Sequence, residues 1–189
     1  QLEQSFGINF TVLVDGQPKV LNLKEILQEF LKHRKDVVLK RTKFDLRKAK
    51  ERGHIVEGLM VAIANIDEII KIIKKSKDPK IAAQVLIKKK WKSGPIQAIL
   101  KKVGNDACKP KGIAKGTGLT GKSYKLSNNQ AKAILELRLG RLTGLEQDNL
   151  SGEFNSLIKK ITSLQEIIDD KDVLQKLIED ELNEIKEIY

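Results

Sequence analysis

The apolar run Ile8-Asn9-Phe10-Thr11-Val12-Leu13-Val14 reads as one β-strand, ended by the turn Asp15-Gly16-Gln17-Pro18. A lone strand leaves its edges unsatisfied. It must pair with something missing from the chain or with a short edge such as Lys19-Val20-Leu21. From Leu23 the pattern turns helical, with Asn22 as a fair N-cap and no Gly or Pro until Gly53. Leu23, Phe30, Val37 and Phe44 recur every seven residues, the period of a coiled coil. Ile55, Val56, Leu59 and Ile63 then widen the apolar face, so the helix is expected to reach Ala64. At 1.5 Å per residue such a rod is about 63 Å long. Asn65-Ile66-Asp67 predicts a break, with Asp67 as the N-cap of a short helix from Glu68 to Lys75.

Asp78-Pro79 is a cap followed by proline at the first helical position, opening a helix to about Lys88. Ser93-Gly94-Pro95 opens another, Ile96 to Val103. Residues 104–126 are rich in Gly and Lys and predict a long loop. Ser127 with Gln130 is a capping box for a helix from Asn128 to Leu139, and Thr143-Gly144-Leu145-Glu146 is a second box. Leu150, Phe154, Leu157, Ile161, Leu164 and Ile168 step by four and three, which is a heptad seam. Asp169 to Asp172 interrupts it, and Leu174, Ile178, Leu182 and Ile185 carry it on. The expected fold is mainly α: a long antiparallel coiled coil with a small helical globular knob, plus a short N-terminal β segment. The expected segments are 1–22, 23–75, 76–145 and 146–189.

Composition narrows the class. Of 189 residues, 40% are hydrophobic and 32% charged, which argues against a disordered chain and a membrane protein. Aromatics at 4% disfavour a β-sandwich or barrel. The single Cys108 cannot form an internal disulfide, which points to a reducing cytoplasm. No apolar run is long enough to span a bilayer. Gln1, with no signal peptide behind it, and the unpartnered strand suggest a piece of something longer. The net charge is +11, but residues 19–52 carry +7, 71–125 carry +14 and 126–189 carry −5. A basic half suggests a polyanion partner; pairing between a basic first arm and an acidic last arm explains part of the segregation.

Gly116-Thr117-Gly118-Leu119-Thr120-Gly121-Lys122-Ser123 spells the phosphate-binding pattern G-x-x-x-x-G-K-[ST]. Its setting contradicts that chemistry. The motif needs a buried strand before it and a helix starting at its lysine, whereas Cys108-Lys109-Pro110-Lys111-Gly112 precedes it and the capped helix starts only at Ser127. It is read as a glycine loop. His33 and His54 are 21 residues apart on one helix, too far for one metal site. Cys108 has no evident base partner, and Tyr124 and Tyr189 lack neighbouring acids, bases or metal carboxylates, so all three are read as packing residues.

One set of residues carries a family resemblance. His33-Arg34-Lys35-Asp36-Val37-Val38, Arg41-Thr42, Phe44, Leu46-Arg47-Lys48-Ala49, Arg52, His54-Ile55, Glu57-Gly58-Leu59 and Asn65-Ile66-Asp67-Glu68-Ile69-Ile70 resemble the long helix of bacterial type IIA DNA topoisomerase A subunits. Gln130-Ala131-Lys132-Ala133-Ile134-Leu135-Glu136-Leu137-Arg138-Leu139, then Leu142-Thr143-Gly144-Leu145-Glu146, resemble that family's lower-gate helix. Ser5-Phe6-Gly7-Ile8-Asn9-Phe10 and Leu13-Val14-Asp15-Gly16-Gln17-Pro18 are similar too. The matching segments keep the family's order over nearly the whole chain. Trp91, Gly94 and Asn105-Asp106-Ala107 fill a stretch that is markedly shorter in the topoisomerase IV branch, so the likeness is greater to the gyrase branch.

The resemblance implies a role in an ATP-dependent heterotetramer that passes one duplex through another. The chain would correspond to the end of the tower domain, the coiled coil and the lower dimer interface, or C-gate. The implied partners are a second copy, double-stranded DNA and the ATPase-bearing gyrase B subunit, with no membrane. ATP and magnesium would belong to that other polypeptide and to upstream domains, leaving this stretch with no cofactor, metal or catalytic residue of its own. Ala131, Ile134, Leu135, Leu137, Arg138, Leu142 and Leu145 are the expected dimer interface. Arg34, Lys40, Arg41, Arg47 and Lys48 are the expected sequence-indifferent DNA contacts, and Gly53, Asn65 and Asp170 the hinge candidates. The alternatives are the A subunit of topoisomerase IV, a coiled-coil adaptor between proteins, or an independent nucleotide-binding protein.

Overall fold

The computed structural model describes residues 3, 7, 9–94, 96–104, 107–110, 112–113, 116–121, 123–137 and 144–188, without the side chains of 101–103 and 144–147. The chain is mainly helical and divides into two compact units, one formed by 1–43 with 166–189 and the other by 44–165.

In the first unit β1 (Phe10–Val14) pairs antiparallel with β2 (Gln17–Leu21), in the register Phe10↔Leu21 to Val14↔Gln17. The strand does find the short edge, joined through Asp15-Gly16. Both turn residues have positive φ, 53° and 77°, as a two-residue hairpin turn requires. Helix α1 (Leu23–Ala64) opens with a reciprocal cap: Asn22 Oδ1 accepts from Glu25 N–H, and Glu25 Oε2 accepts from Asn22 N–H, both at 2.9 Å. Here α1 packs on α7 (Lys171–Ile188) through buried Val38, Leu174 and Ile178, flanked by Leu39, Ile167, Leu177 and Leu182. Across this contact Arg34 Nη2 donates to Glu181 Oε2 at 2.8 Å, and Arg41 donates to Glu181 Oε1.

The buried face differs from the expected stripe. Leu23, Phe30, Val37 and Phe44 are all exposed. Val38, Thr42, Ala49 and His54 are buried instead. Small residues explain the choice of face. Thr42 satisfies its own hydroxyl on the Val38 carbonyl at 2.8 Å, and Ala49 and Gly53 let a neighbouring element come close. A Cβ placed on Gly53 would lie 3.0 Å from Cys108 Sγ and 3.7 Å from Ile161 Cδ1.

The second unit holds the larger core. Within it α1 packs against α6 (Gly144–Asp169) through Ala49, Val56, Leu150, Phe154, Ile158 and Ile161. Arg52 forks onto Glu153, at 2.7 and 3.1 Å. Helix α2 runs Ile66–Lys75, two residues earlier than expected, with Asn65 rather than Asp67 at its N-cap. Asn65 spends its amide on the carbonyls of Val61 and Lys92, at 2.8 and 2.9 Å, and so makes no side-chain cap. Helix α3 (Pro79–Lys88) starts on Asp78, whose Oδ1 accepts from Lys80 N–H at 3.3 Å. Helix α4 is Ile96–Val103. Helix α5 (Asn128–Leu135) has the expected capping box but ends sooner than Leu139.

The expected loop over 104–126 contains strands. β3 (Lys90–Lys92), β4 (Gly118–Thr120) and β5 (Ser123–Lys125) form an antiparallel sheet in the order β3-β5-β4. Trp91 stands opposite Tyr124 in the ladder. Both rings are buried, and Trp91 Nε1 donates to the Leu86 carbonyl at 2.9 Å. Three-residue strands show no readable alternation, and although β4 and β5 are neighbours in sequence, β3 joins them from far along the chain, so the pattern of the chain hides the sheet.

Candidate functional site: a buried polar cluster and an uncovered apolar groove

Where α1 meets β5 and α5 the core turns polar. His54, Glu57, Ser127, Gln130 and Tyr124 are all buried. Gln130 is the hub. Its Nε2 donates to the His54 carbonyl at 2.7 Å and to Tyr124 Oη at 2.8 Å, and lies 3.3 Å from His54 Nδ1. Its Oε1 accepts from Ser127 N–H at 2.9 Å, which is half of the α5 capping box. An amide nitrogen can only donate, so Nδ1 of His54 accepts and Nε2–H is free to donate to Ser127 Oγ, 2.8 Å away. Gly58 makes room for this hub, because a Cβ there would fall 2.6 Å from Gln130 Cγ.

Burial sets the ionisation of the cluster. Desolvation, then the charge of Lys109, lowers His54 from 6.5 to about 4, so the imidazole is neutral. Desolvation raises Glu57 to about 7, against a hydrogen bond from Tyr124 and the charge of Lys109. Burial, aided by the Glu57 charge, pushes the Cys108 thiol up to about 12 and raises Tyr124 further. A protonated thiol is a poor nucleophile. This arrangement orders three elements. It holds α5 against α1 through groups that are almost all satisfied, the condition under which a buried polar network specifies one packing.

Beside it lies an apolar groove of about 60 Å³, lined by Ala62, Ile63, Ile66, Ile69, Ile70, Ile73, Ile134 and Leu137. Ile134 and Ala131 are buried in the core of the chain itself, Leu135 and Leu137 are half-buried, and Ile73 at the groove's margin is exposed. Arg138 and Leu142 lie outside the described residues, as does the side chain of Leu145.

Comparison with known proteins places this architecture. A family model described as the A subunit of DNA gyrase/topoisomerase IV matches residues 1–183. The chain belongs to that family. It is 46% identical to the DNA gyrase A subunit of Pseudomonas aeruginosa, covering 98% of this chain and 20% of the relative. It is 45% identical to that of Neisseria gonorrhoeae, covering 100% and 21%, and 41% identical to that of Staphylococcus aureus, covering 100% and 17%. The chain therefore spans about a fifth of the length of the curated relatives it matches.

For a segment of the gyrase A-subunit type, the remaining expected sites fall as follows. Of the cations on α1, Arg34 and Arg41 are paired with Glu181, and Arg47 and Lys48 lie 4.0 and 3.6 Å from Glu51. Arg47 and Lys48 also sit over the Phe44 ring, at 5.3 and 5.8 Å. Lys40 is exposed. Gly53 lies inside an unbroken α1, where its lack of a side chain serves close packing on Cys108. Asn65 and Asp170 each stand at a true helix boundary, between α1 and α2 and between α6 and α7. The string that spells a phosphate loop covers β4, Gly121 and the first residue of β5, with Lys122 and Tyr189 outside the described residues. Among the described residues no cluster of three His, Cys, Asp or Glu could hold a metal, and no helix is long and apolar enough to cross a membrane. Sequence reading missed the polar cluster, although the capping-box Gln130 and the helical glycine Gly58 were its visible signs.

Proposed function

We propose that the chain is the part of a DNA gyrase A subunit that supplies helical arms and the lower dimer interface, the C-gate, through which a transported duplex leaves. The parent enzyme would supercoil DNA by ATP-dependent double-strand passage in the cytoplasm, as a complex of two A with two B subunits. ATP and magnesium would be handled outside this segment, which would contribute no catalytic residue. What carries the reading is the family match over 1–183. The uncovered groove supports it. A gate must be closed by apolar contact yet open again, so its faces should be apolar, accessible and rigidly backed. Ile70, Ile73 and Leu137 meet that description, backed by the Gln130 network. The exposed stripe Leu23, Leu27, Phe30, Val37 and Phe44 on α1 is explained as a face covered by the rest of a polypeptide about five times longer.

Static light scattering of the intact chain tests the interface. A dimer, twice 21.3 kDa, is expected at high concentration, and Ile73→Asp or Leu137→Asp should return the monomer. A chain that stays monomeric at hundreds of micromolar overturns the gate assignment.

A further inference from the structure

Nine lysines fall between positions 71 and 92, with Asp78 as the single acid among them. All nine are exposed. The fold gathers several of them onto one face of the 44–165 unit. Lys89 Nζ lies 2.8 Å from Glu68 Oε2. That carboxyl is held below its usual range by Lys89 first, and then by the charges of Lys92 and Lys71. Lys71 of α2, Lys89 at the end of α3 and Lys92 at the end of β3 therefore all act on one exposed carboxylate.

Strand β3 extends the face. Lys90 and Lys92 are two residues apart and point to the same side of the sheet, while Trp91 points to the core. Lys125, on the central strand β5, stands directly opposite Lys90. Like charges facing each other across an antiparallel pair destabilise it. The sheet holds them side by side because Trp91 and Tyr124 anchor its other face. A local arrangement that works against folding, with no compensating acid opposite, is the signature of a binding surface.

The chemistry of the face selects its ligand. Trp91 is the sole aromatic between 71 and 92 and is buried, so the face offers no platform on which single-stranded bases could stack. All the cations are Lys, compact point charges without the planar fork that reads guanine edges. What such a face fits is a regular row of phosphates. On α1, by contrast, four of the five expected DNA-contact cations are already engaged by Glu181 and Glu51.

We propose that Lys71, Lys90, Lys92 and Lys125 form a binding face for the phosphate backbone of duplex DNA, indifferent to base sequence. The proposal does not depend on the dimer-gate reading, since a monomeric chain would present the same face.

The test titrates the intact chain with two unrelated fluorescent duplexes over a range of salt. Each phosphate contact adds about 0.9 to the slope of log K against log salt. The variant K71Q/K90Q/K92Q/K125Q should flatten that slope by about 3 and weaken binding to both duplexes at least tenfold. The control K24Q/K32Q/K35Q/K43Q makes the same change in net charge in the other unit, at lysines outside the expected DNA contacts, and should change the slope by less than about 1. Two half-variants, K71Q/K92Q and K90Q/K125Q, guard against misfolding and should each remove about half the effect. Lys90→Gln alone should raise Tm by relieving the facing pair while weakening duplex binding. Equal losses in patch and control variants would reduce the effect to net charge and overturn the proposal. So would an unchanged slope, or patch-dependent binding of polyglutamate with none of duplex, which would assign the face to an acidic protein.

Discussion

Two buried groups, His54 and Glu57, have opposite linkage to pH. His54 is lowered from 6.5 to about 4, so its stabilisation is present above pH 6.5 and is lost as pH falls toward 4. Glu57 is raised from 4.5 to about 7, so the folded state holds a proton that the unfolded state has released, and stability declines as pH rises from 4.5 to 7. Between about 4.5 and 6.5 each state carries one proton on this pair, and the two slopes cancel. Substitution should unmask them. In Glu57→Gln, chemical denaturation at a series of pH values should show stability rising from pH 4 to 6.5. In His54→Asn it should fall from pH 4.5 to 7. The span of each is on the order of 3 kcal/mol, at about 1.4 kcal/mol per pKa unit. Neither group could be picked out from composition. A histidine and a glutamate three residues apart on a charged helix look like surface residues, and only the approach of Tyr124, Ser127 and Gln130 makes them buried.

Helix α1 shows how an element chooses its face. The seven-residue recurrence of Leu23, Phe30, Val37 and Phe44 is real, yet those side chains remain exposed. The packed face instead contains Val38, Thr42, Ala49, Gly53 and Val56, where small residues let neighbours approach. Gly58 is the sharpest case. In an isolated helix Gly58→Ala would add about 1 kcal/mol of stability from propensity. Here the methyl would meet Gln130 Cγ at 2.6 Å and expel the hub of the network. A net loss of about 2 to 4 kcal/mol is expected in urea melts, from overpacking and orphaned buried donors and acceptors. In the unit formed by 1–43 with 166–189, Glu181 alone holds both Arg34 and Arg41. Glu181→Gln should cost about 1 to 2 kcal/mol, more than an isolated surface pair, and the deficit should shrink in high salt. Caps were legible at this scale: Asn22, Asp78 and Ser127 all cap as read, because a cap is local chemistry. The cap read at Asp67 is not used: α2 starts behind Asn65, whose amide is taken by the carbonyls of Val61 and, distant in sequence, Lys92.

For the molecule as a whole, the family match and the helical pattern agree on a mainly α architecture related to the A subunits of DNA gyrase and topoisomerase IV. Charge segregation was visible along the chain, but its meaning changes once the partners are in place. Four cations of the first arm share the carboxylates of Glu181 and Glu51, whereas Lys71, Lys89 and Lys92 act on the single carboxylate of Glu68. By itself the sequence determined the helices, most of their ends and the family, since these rest on local periodicity, capping groups and ordered motifs. Tertiary structure alone decided which face of α1 is buried, that Lys90–Lys92 pairs with a strand inside an expected loop, and that one glutamine ties His54, Tyr124 and Ser127 together. Each of those outcomes depends on contacts between residues tens of positions apart. Their energies come from close approach and desolvation, which no local pattern encodes.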